Sequence, residues 1–308
     1  MSMRHPRRRG KRVRRVRRVG SILALGLYAA ACSVAPPASD TALPPGLATP
    51  PRVIPVSDSF RVVAYNIKHG RGMDDVVDLP RVAGVLRQLN ADVIALQEVD
   101  DRTERTGGVD QVGVLAELLG YRGFHGPHRP YQGGHYGNAV LTRLPVRCVV
   151  THSIPPTSGS ALSVLEVEVE AAAGPVSVVS VHLAGSPEER MAQAETVTGF
   201  FHARAGHDVP AHPVILAGDF NGRPDDPVVR ALAREWTILR KAGDPGTYPA
   251  DRPDREIDFV MVRDHDPVQL LDHVVVEEAA ASDHRPLLAV LRFGVRLPRP
   301  TPRPCPTP

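Results

Sequence analysis

Ten short apolar runs, separated by only four helix-like patterns, limit this chain more than any other feature. The runs cover 60–67, 92–97, 138–143, 146–152, 163–170, 175–183, 213–218, 256–262, 268–276 and 286–293. Each has the length and the β-branched content of a buried strand. Residues 163–170 alternate valine and leucine with Glu166, Glu168 and Glu170, which predicts a strand with one solvated face. Helical spacing appears at Leu79, Val82, Val85, Leu86 and Leu89, where Pro80 suits a first turn, and again at Val112, Leu115, Leu118 and Leu119. A third helix is expected to start with Ser186 as N-cap and Pro187 at the first helical position, with Glu188 and Glu189 favoured by the helix dipole. A fourth begins near Asp226-Pro227. Strands that outnumber helices this heavily bury one another, so the chain is expected to form two packed sheets with helices outside them, an α/β (α+β) fold. The Gly/Tyr/Pro-rich stretch 121–137, with His125, His128 and His135, is expected to be a loop, either lying on the surface or covering the site and selecting substrate.

The flanks differ from this middle. Residues 1–32 have the form of an export signal: arginines from Arg4 to Arg18, then an apolar run, 22–31, too short to span a bilayer. Ala29-Ala30-Ala31-Cys32 is similar to a lipoprotein cleavage box with Cys32 as the lipidated residue. Ordinary cleavage near Ala31 and an uncleaved anchor are the alternatives, so the protein is expected to be exported and either membrane-attached or secreted. Residues 33–58, rich in Pro and Ala, suit a tether, and 295–308 a Pro-rich extended tail. The catalytic domain is then 59–294, expected to act as a monomer.

Charge sorts along the same boundaries. Residues 1–31 hold ten of the 37 basic groups and no acid, while 59–294 holds 23 basic and 32 acidic groups, a net of −9. An acidic domain is poorly suited to non-specific binding of duplex DNA, which depends on Lys and Arg. Three cysteines are too few for a disulfide framework, and Cys148, in an apolar run, is expected to be a buried thiol, with a Cys148–Cys305 bridge as the alternative.

Polar residues cluster where the apolar runs end: Asn66, Glu98, Asp219 with Asn221, and Asp283 with His284. Strand ends deliver side chains from a rigid core to a shared surface site. Carboxylates, amides and an imidazole suit a hard divalent cation and a phosphate ester. Asp219 and Asn221 are two apart, so in an extended segment they face the same side. The spacings of a transition-metal site, His-Glu-x-x-His or cysteine pairs, do not occur.

In order along the chain, Tyr65-Asn66-Ile67, Leu96-Gln97-Glu98-Val99, Gly137-Asn138-Ala139-Val140-Leu141, Ser180-Val181-His182-Leu183, Gly218-Asp219-Phe220-Asn221, Ile257-Asp258-Phe259 and Ser282-Asp283-His284 resemble the endonuclease/exonuclease/phosphatase superfamily. The resemblance runs from about Phe60 to Phe293. It implies a four-layered sandwich of two mixed β-sheets flanked by helices, and a Mg²⁺-dependent phosphoesterase in which Mn²⁺ can substitute. By that resemblance Glu98 is the first metal ligand, Asn66 supports the metal or orients the nucleophile, and Asp283 lies on the metal side. Asp219 aligns or deprotonates water, Asn221 bonds a phosphate oxygen, Asp258 orients the His284 imidazole, and His182 faces the phosphate. Either Asp219 or His284 is the general base. Asn138 supplies a further amide to the substrate.

Departures from the family pattern narrow the substrate. Lys68 stands where abasic-site endonucleases usually carry Asn or Asp. Ala217 precedes Gly218 where inositol-polyphosphate phosphatases have Trp, and in place of their late Cys-Asp-Arg the motif here is Ser282-Asp283-His284-Arg285. No arginine precedes the run at 163–170, so Arg143, Arg190 and Arg223 are the candidate substrate contacts. A phosphodiesterase is the leading expectation, with a lipid headgroup, a nucleotide or a nucleic acid as substrate. An extracellular nuclease and a catalytically silent phosphate-binding module are the alternatives.

Overall fold

The computed structural model describes residues 59–156, 161–202 and 212–294. The expected export signal with Cys32, the tether and the tail lie outside them. Sheet one has the strand order β11-β12-β1-β2-β4-β3. Its members are β1 (Phe60–Asn66), β2 (Val93–Asp101), β3 (Arg122–Tyr131), β4 (Gly134–Thr142), β11 (Val268–Val275) and β12 (Leu287–Phe293). Sheet two has the order β5-β6-β7-β8-β10-β9. It comprises β5 (Val146–Ile154), β6 (Leu162–Ala171), β7 (Gly174–His182), β8 (Val214–Asp219), β9 (Trp236–Ile238) and β10 (Asp258–Arg263). Both sheets are mixed, with β1–β2 and β7–β8 the parallel pairs.

Three cores define four layers. Val62, Ala64, Val93, Ala95 and Val140 of sheet one meet Leu165, Val167, Val178, Ile215, Ala217 and Val260 of sheet two, all fully or nearly fully buried. The other face of sheet one is covered by helices α1 (Leu79–Leu89) and α2 (Gln111–Leu119), through Val82, Leu86 and Leu115. The other face of sheet two is covered by α3 (Pro187–Phe201) and α4 (Pro227–Leu232), through Val197, Phe201 and Val229. Strands buried on both faces carry continuous apolar runs rather than alternation, which is why β1, β2 and β8 are so plain in the sequence. Among the described residues no helix is long and apolar enough to cross a membrane.

Local chemistry sets the helix ends. Asp78 accepts from the Arg81 N–H at the start of α1, with Pro80 in the first turn. Ser186 and Glu189 form a reciprocal capping box on α3: the Glu189 N–H donates to Ser186 Oγ, and the Ser186 N–H donates to Glu189 Oε2.

Three expectations are corrected here. The stretch 121–137 is a β-hairpin rather than a loop. β3 is an edge strand, where Pro127 and Pro130 are tolerated because no neighbour needs their N–H. Gln132 and Gly133 both have positive φ, as a tight two-residue hairpin turn requires. The acidic face of β6 is not solvated: Glu166 and Glu168 are buried against His152, Ser177 and Arg147. Their charges are accommodated because each has a partner, so alternation did not signal water. Cys148 is disulfide-bonded rather than a free thiol, and the other two cysteines, Cys32 and Cys305, lie outside the described residues.

Candidate active site

Strand register brings the polar residues together. β7 and β8 are parallel with His182 opposite Asp219, and β10 runs antiparallel to β8 with Asp258 opposite Asp219. Three neighbouring strands therefore place His182, Asp219 and Asp258 in one row. Asn66 ends β1 in the facing sheet. Glu98 sits where the β2–β4 pairing shifts register and has a φ of 56°, a conformation that a side chain other than glycine adopts at a cost. The bulge re-aims its carboxylate out of the alternation of β2. Ser282 Oγ donates to the Asn66 carbonyl at 2.7 Å, which fixes the loop carrying Asp283 and His284 to the end of β1.

The sheets are pinned to each other just beneath this row. Gln97 Nε2 donates to Ser180 Oγ (2.9 Å), and that hydroxyl donates to the Leu96 carbonyl (2.8 Å). Gly218 is required here: at φ 152° a Cβ would lie 2.0 Å from the Val181 carbonyl oxygen on the neighbouring strand and 2.8 Å from Gln97 Nε2 of the facing sheet.

Asp219 is the hub of the centre. Its Oδ2 accepts from Asn66 Nδ2 at 3.2 Å and lies 3.7 Å from Nε2 of both His182 and His284. Its Oδ1 accepts from the Asn221 N–H at 2.8 Å. Asn221 is not extended: its φ of 49° folds the chain back, and the turn rather than strand alternation puts it beside Asp219. The Asn221 side-chain amide donates to the Leu183 carbonyl at 2.8 Å and lies 3.3 Å from His182 Nε2. Asp258 Oδ2 is 2.9 Å from His284 Nδ1, which turns Nε2 toward Asp219.

Burial and neighbours set the protonation of these groups. Burial, and then the charge of Asp258, push the Asp219 carboxyl above the ordinary carboxylate range. Burial by itself would lower the His284 pKa. Asp258, with Asp219 and Asp283 beyond it, outweighs burial and raises it to about 10, so His284 is an imidazolium at neutral pH.

A divalent cation fits one part of this centre better than another. The donor atoms of Asp219, Asp258 and His284 lie within 4.8 Å of one another. Within that group Nδ1 of His284 is taken by Asp258 at 2.9 Å and Nε2 lies 3.7 Å from Asp219, so the imidazole links the two carboxylates. Glu98 has no cationic partner among the described residues, and its one hydrogen bond comes from Asn66 Nδ2 at 3.1 Å. A partly buried carboxylate with no counter-charge is the oxygen donor a hard cation takes; Asn66 presents its Nδ2 to Glu98 and Asp219 while its Oδ1 accepts from the Lys68 N–H at 3.1 Å, so it orients the carboxylates rather than ligating as expected.

Several expected residues stand elsewhere. Arg143 pairs with Asp92 at 2.7 Å, just before β2 begins and so at the opposite end of that strand from Glu98. The Arg190 guanidinium donates to the Gly185 carbonyl, and Arg223 Nη1 donates to the Asp254 carbonyl at 3.2 Å. The Asn138 amide faces inward and donates to the carbonyls of Ser163 and Ser180 (3.2 and 3.0 Å), joining the sheets instead of facing a substrate. Asp283 is engaged by Lys68 Nζ at 2.9 Å.

Two neighbours of the centre escaped the sequence. The phenol pKa of Tyr136 is raised first by burial and then by the charge of Glu98, and its ring centroid is 5.7 Å from that of His128. The Tyr248 ring centroid is 4.8 Å from that of His284. Neither tyrosine carries a sequence signal beyond its place between strand runs.

The conserved profile of the endonuclease/exonuclease/phosphatase family matches residues 63–284, from β1 to His284. The chain belongs to this family. Its members are phosphoester hydrolases and generally depend on divalent metal. The chain is 25% identical over 257 residues to the Escherichia coli (strain K12) protein YbhP, a match covering 76% of this chain and 97% of that protein. A solved endonuclease/exonuclease/phosphatase structure from Beutenbergia cavernae superposes with a TM-score of 0.62 at 28% identity, over 77% of this chain and 72% of that one. Another, from Bacteroides vulgatus, gives 0.63 at 20% identity over 76% and 99%, a likeness of fold.

Proposed function

We propose that this chain is an exported, Mg²⁺-dependent phosphodiesterase that hydrolyses small or headgroup phosphodiesters by in-line attack of water. The carrying observation is the position of Asp219: one buried carboxylate oxygen shared among Asn66, His182 and His284. Glu98 would hold the cation, Mg²⁺ with Mn²⁺ as a substitute, with Asn66 orienting its carboxylate through Nδ2, and when bound the cation supplies positive charge to the phosphate. Asp219, with its raised pKa, takes a proton from the attacking water as the new P–O bond forms, and the ester P–O bond breaks with its electron pair going to the departing alcohol oxygen, which takes a proton from solvent. His284, already protonated and held by Asp258, donates a hydrogen bond to a phosphate oxygen as negative charge grows there. His182 Nε2 and the Asn221 amide line the same space and hold the phosphate on the side away from His284. Asp219 rather than His284 is therefore the base. Export and attachment through a lipid on Cys32 belong to the same proposal. The disulfide at Cys148 supports an oxidising compartment.

The net of −9 in 59–294 argues against long polyanions. Turnover of bis-p-nitrophenyl phosphate, phospholipid headgroup esters, RNA and plasmid DNA, each over a salt series, tests the choice. Small esters should be preferred, with a shallow salt slope near the roughly −0.9 per phosphate expected for one or two contacts. Efficient plasmid cleavage with steep salt dependence would make the protein an extracellular nuclease.

A further inference from the structure

A cavity of about 290 Å³ opens beside the centre and shares His182 as a wall. Ile154, Pro156 and Leu162 make one side of it apolar, and Tyr136 and Arg129 form another. Its remaining polar side chains are already engaged. Gln193 uses both ends of its amide on the Ala184 backbone (3.0 and 2.9 Å), and Glu189 is held by the Ser186 N–H. Arg129 differs. Its guanidinium stacks 5.0 Å from the Tyr131 ring centroid and 5.7 Å from that of Tyr136, with no carboxylate partner among the described residues.

A neighbouring arginine makes the contrast plain. Arg105 lies over the same two rings, at 4.7 and 5.5 Å, but its charge is met by both oxygens of Asp100 at 2.7 Å. In a domain with an excess of acids, a partly buried guanidinium left without one is a built anion contact. The two tyrosine rings restrict the guanidinium, so less side-chain freedom is lost when it binds an oxyanion.

We infer that this cavity receives one ester substituent of the substrate, and that it selects a small ring carrying a second oxyanion, which Arg129 binds while Leu162 and Pro156 cover the ring. The inference rests on the phosphoesterase reading of the neighbouring centre. The volume lies just below the usual range of small-molecule pockets, so it suits one ring and not an acyl chain or stacked bases. The oxyanion is a carboxylate or a second phosphate, since both match the guanidinium fork. Arg129 thus supplies the cationic contact sought among Arg143, Arg190 and Arg223.

Binding of non-hydrolysable phosphonates, measured by calorimetry with Mg²⁺ present, tests this without turnover. Phenylphosphonate should bind about tenfold tighter than methylphosphonate, from burial of the ring. A 4-carboxyl or 4-phosphono group on the ring should each add about another tenfold, and the better of the two names the oxyanion. Arg129→Gln should remove the second step and leave the first. Arg129→Lys should restore it only in part, because an ammonium lacks the planar fork. Leu162→Trp should remove the first step while methylphosphonate binds as before. Equal affinities in the unaltered protein, or a charged-ring gain that survives Arg129→Gln, would overturn the assignment. If methylphosphonate and inorganic phosphate both fail to bind, the phosphate centre itself is wrong and the cavity loses its role with it.

Discussion

Asp258 is 2% exposed, and its Oδ2 meets His284 Nδ1 at 2.9 Å. That contact fixes the tautomer and tilt of the imidazole and stabilises its charged form. Asp258→Asn preserves shape but removes the charge that keeps His284 protonated. The variant should fold normally and lose about 10²-fold or more in rate, with a pH–rate profile altered in the same way as that of His284→Ala. Near-full activity in Asp258→Asn would make Asp258 a structural acid. At this scale the sequence exposed much of the centre, because Asn66, Glu98, His182, Asp219, Asp258 and His284 close or border apolar runs that cannot be missed. It did not expose Arg129 or Tyr136. Their meaning depends on which rings and acids surround them, and those come from distant parts of the chain. Arg143 shows the converse: it follows a strand end, but the end away from the centre, where Asp92 neutralises it.

Elements were legible in proportion to their burial. β1, β7 and β8 are largely apolar because both faces are covered, and their limits follow from the sequence within a residue, whereas β2 runs four residues past the expected end at 97, where its polar Glu98–Asp101 stretch hides the strand. β3 was hidden, because edge position permits the prolines and glycines that otherwise signal a loop. β9, three residues long, is too short to carry any pattern. α3 was readable from its cap alone, since its apolar residues spread around the helix while Ser186-Pro187-Glu188-Glu189 states a start. Ser186→Ala should therefore cost about 1 kcal/mol in urea unfolding with little change in midpoint slope. An unchanged midpoint would mean that packing of Val197 and Phe201 alone sets the stability of α3.

The whole molecule responds to pH through histidines buried between its layers. Burial, then the charges of His182, His125 and Arg129, lower the His128 pKa to about 3. Burial, then Lys241, lowers that of His273 to about 4. Both folded values lie below the unfolded value near 6.5, so the unfolded chain binds more protons as pH falls. Above about pH 6.5 the two residues contribute no pH dependence. Between about 6.5 and 4 stability should drop, by on the order of 2 kcal/mol or more, before most carboxylates titrate. Urea unfolding in EDTA across that range should show the decline, and His273→Gln should flatten part of it. Stability that is constant from pH 6.5 to 4 would mean that these histidines reach water in the folded protein.

The proposed function requires Glu98 to anchor a divalent cation in a centre that hydrolyses phosphodiesters. Its most direct test is Mg²⁺ titration of bis-p-nitrophenyl phosphate hydrolysis after EDTA treatment, in the unaltered protein and in Glu98→Gln. Activity should vanish with EDTA, return with Mg²⁺ or Mn²⁺, and require at least about tenfold more Mg²⁺ in the variant, whose amide keeps the shape but not the charge. Hydrolysis that survives EDTA, or a Glu98→Gln titration that overlays the unaltered one, would contradict the account.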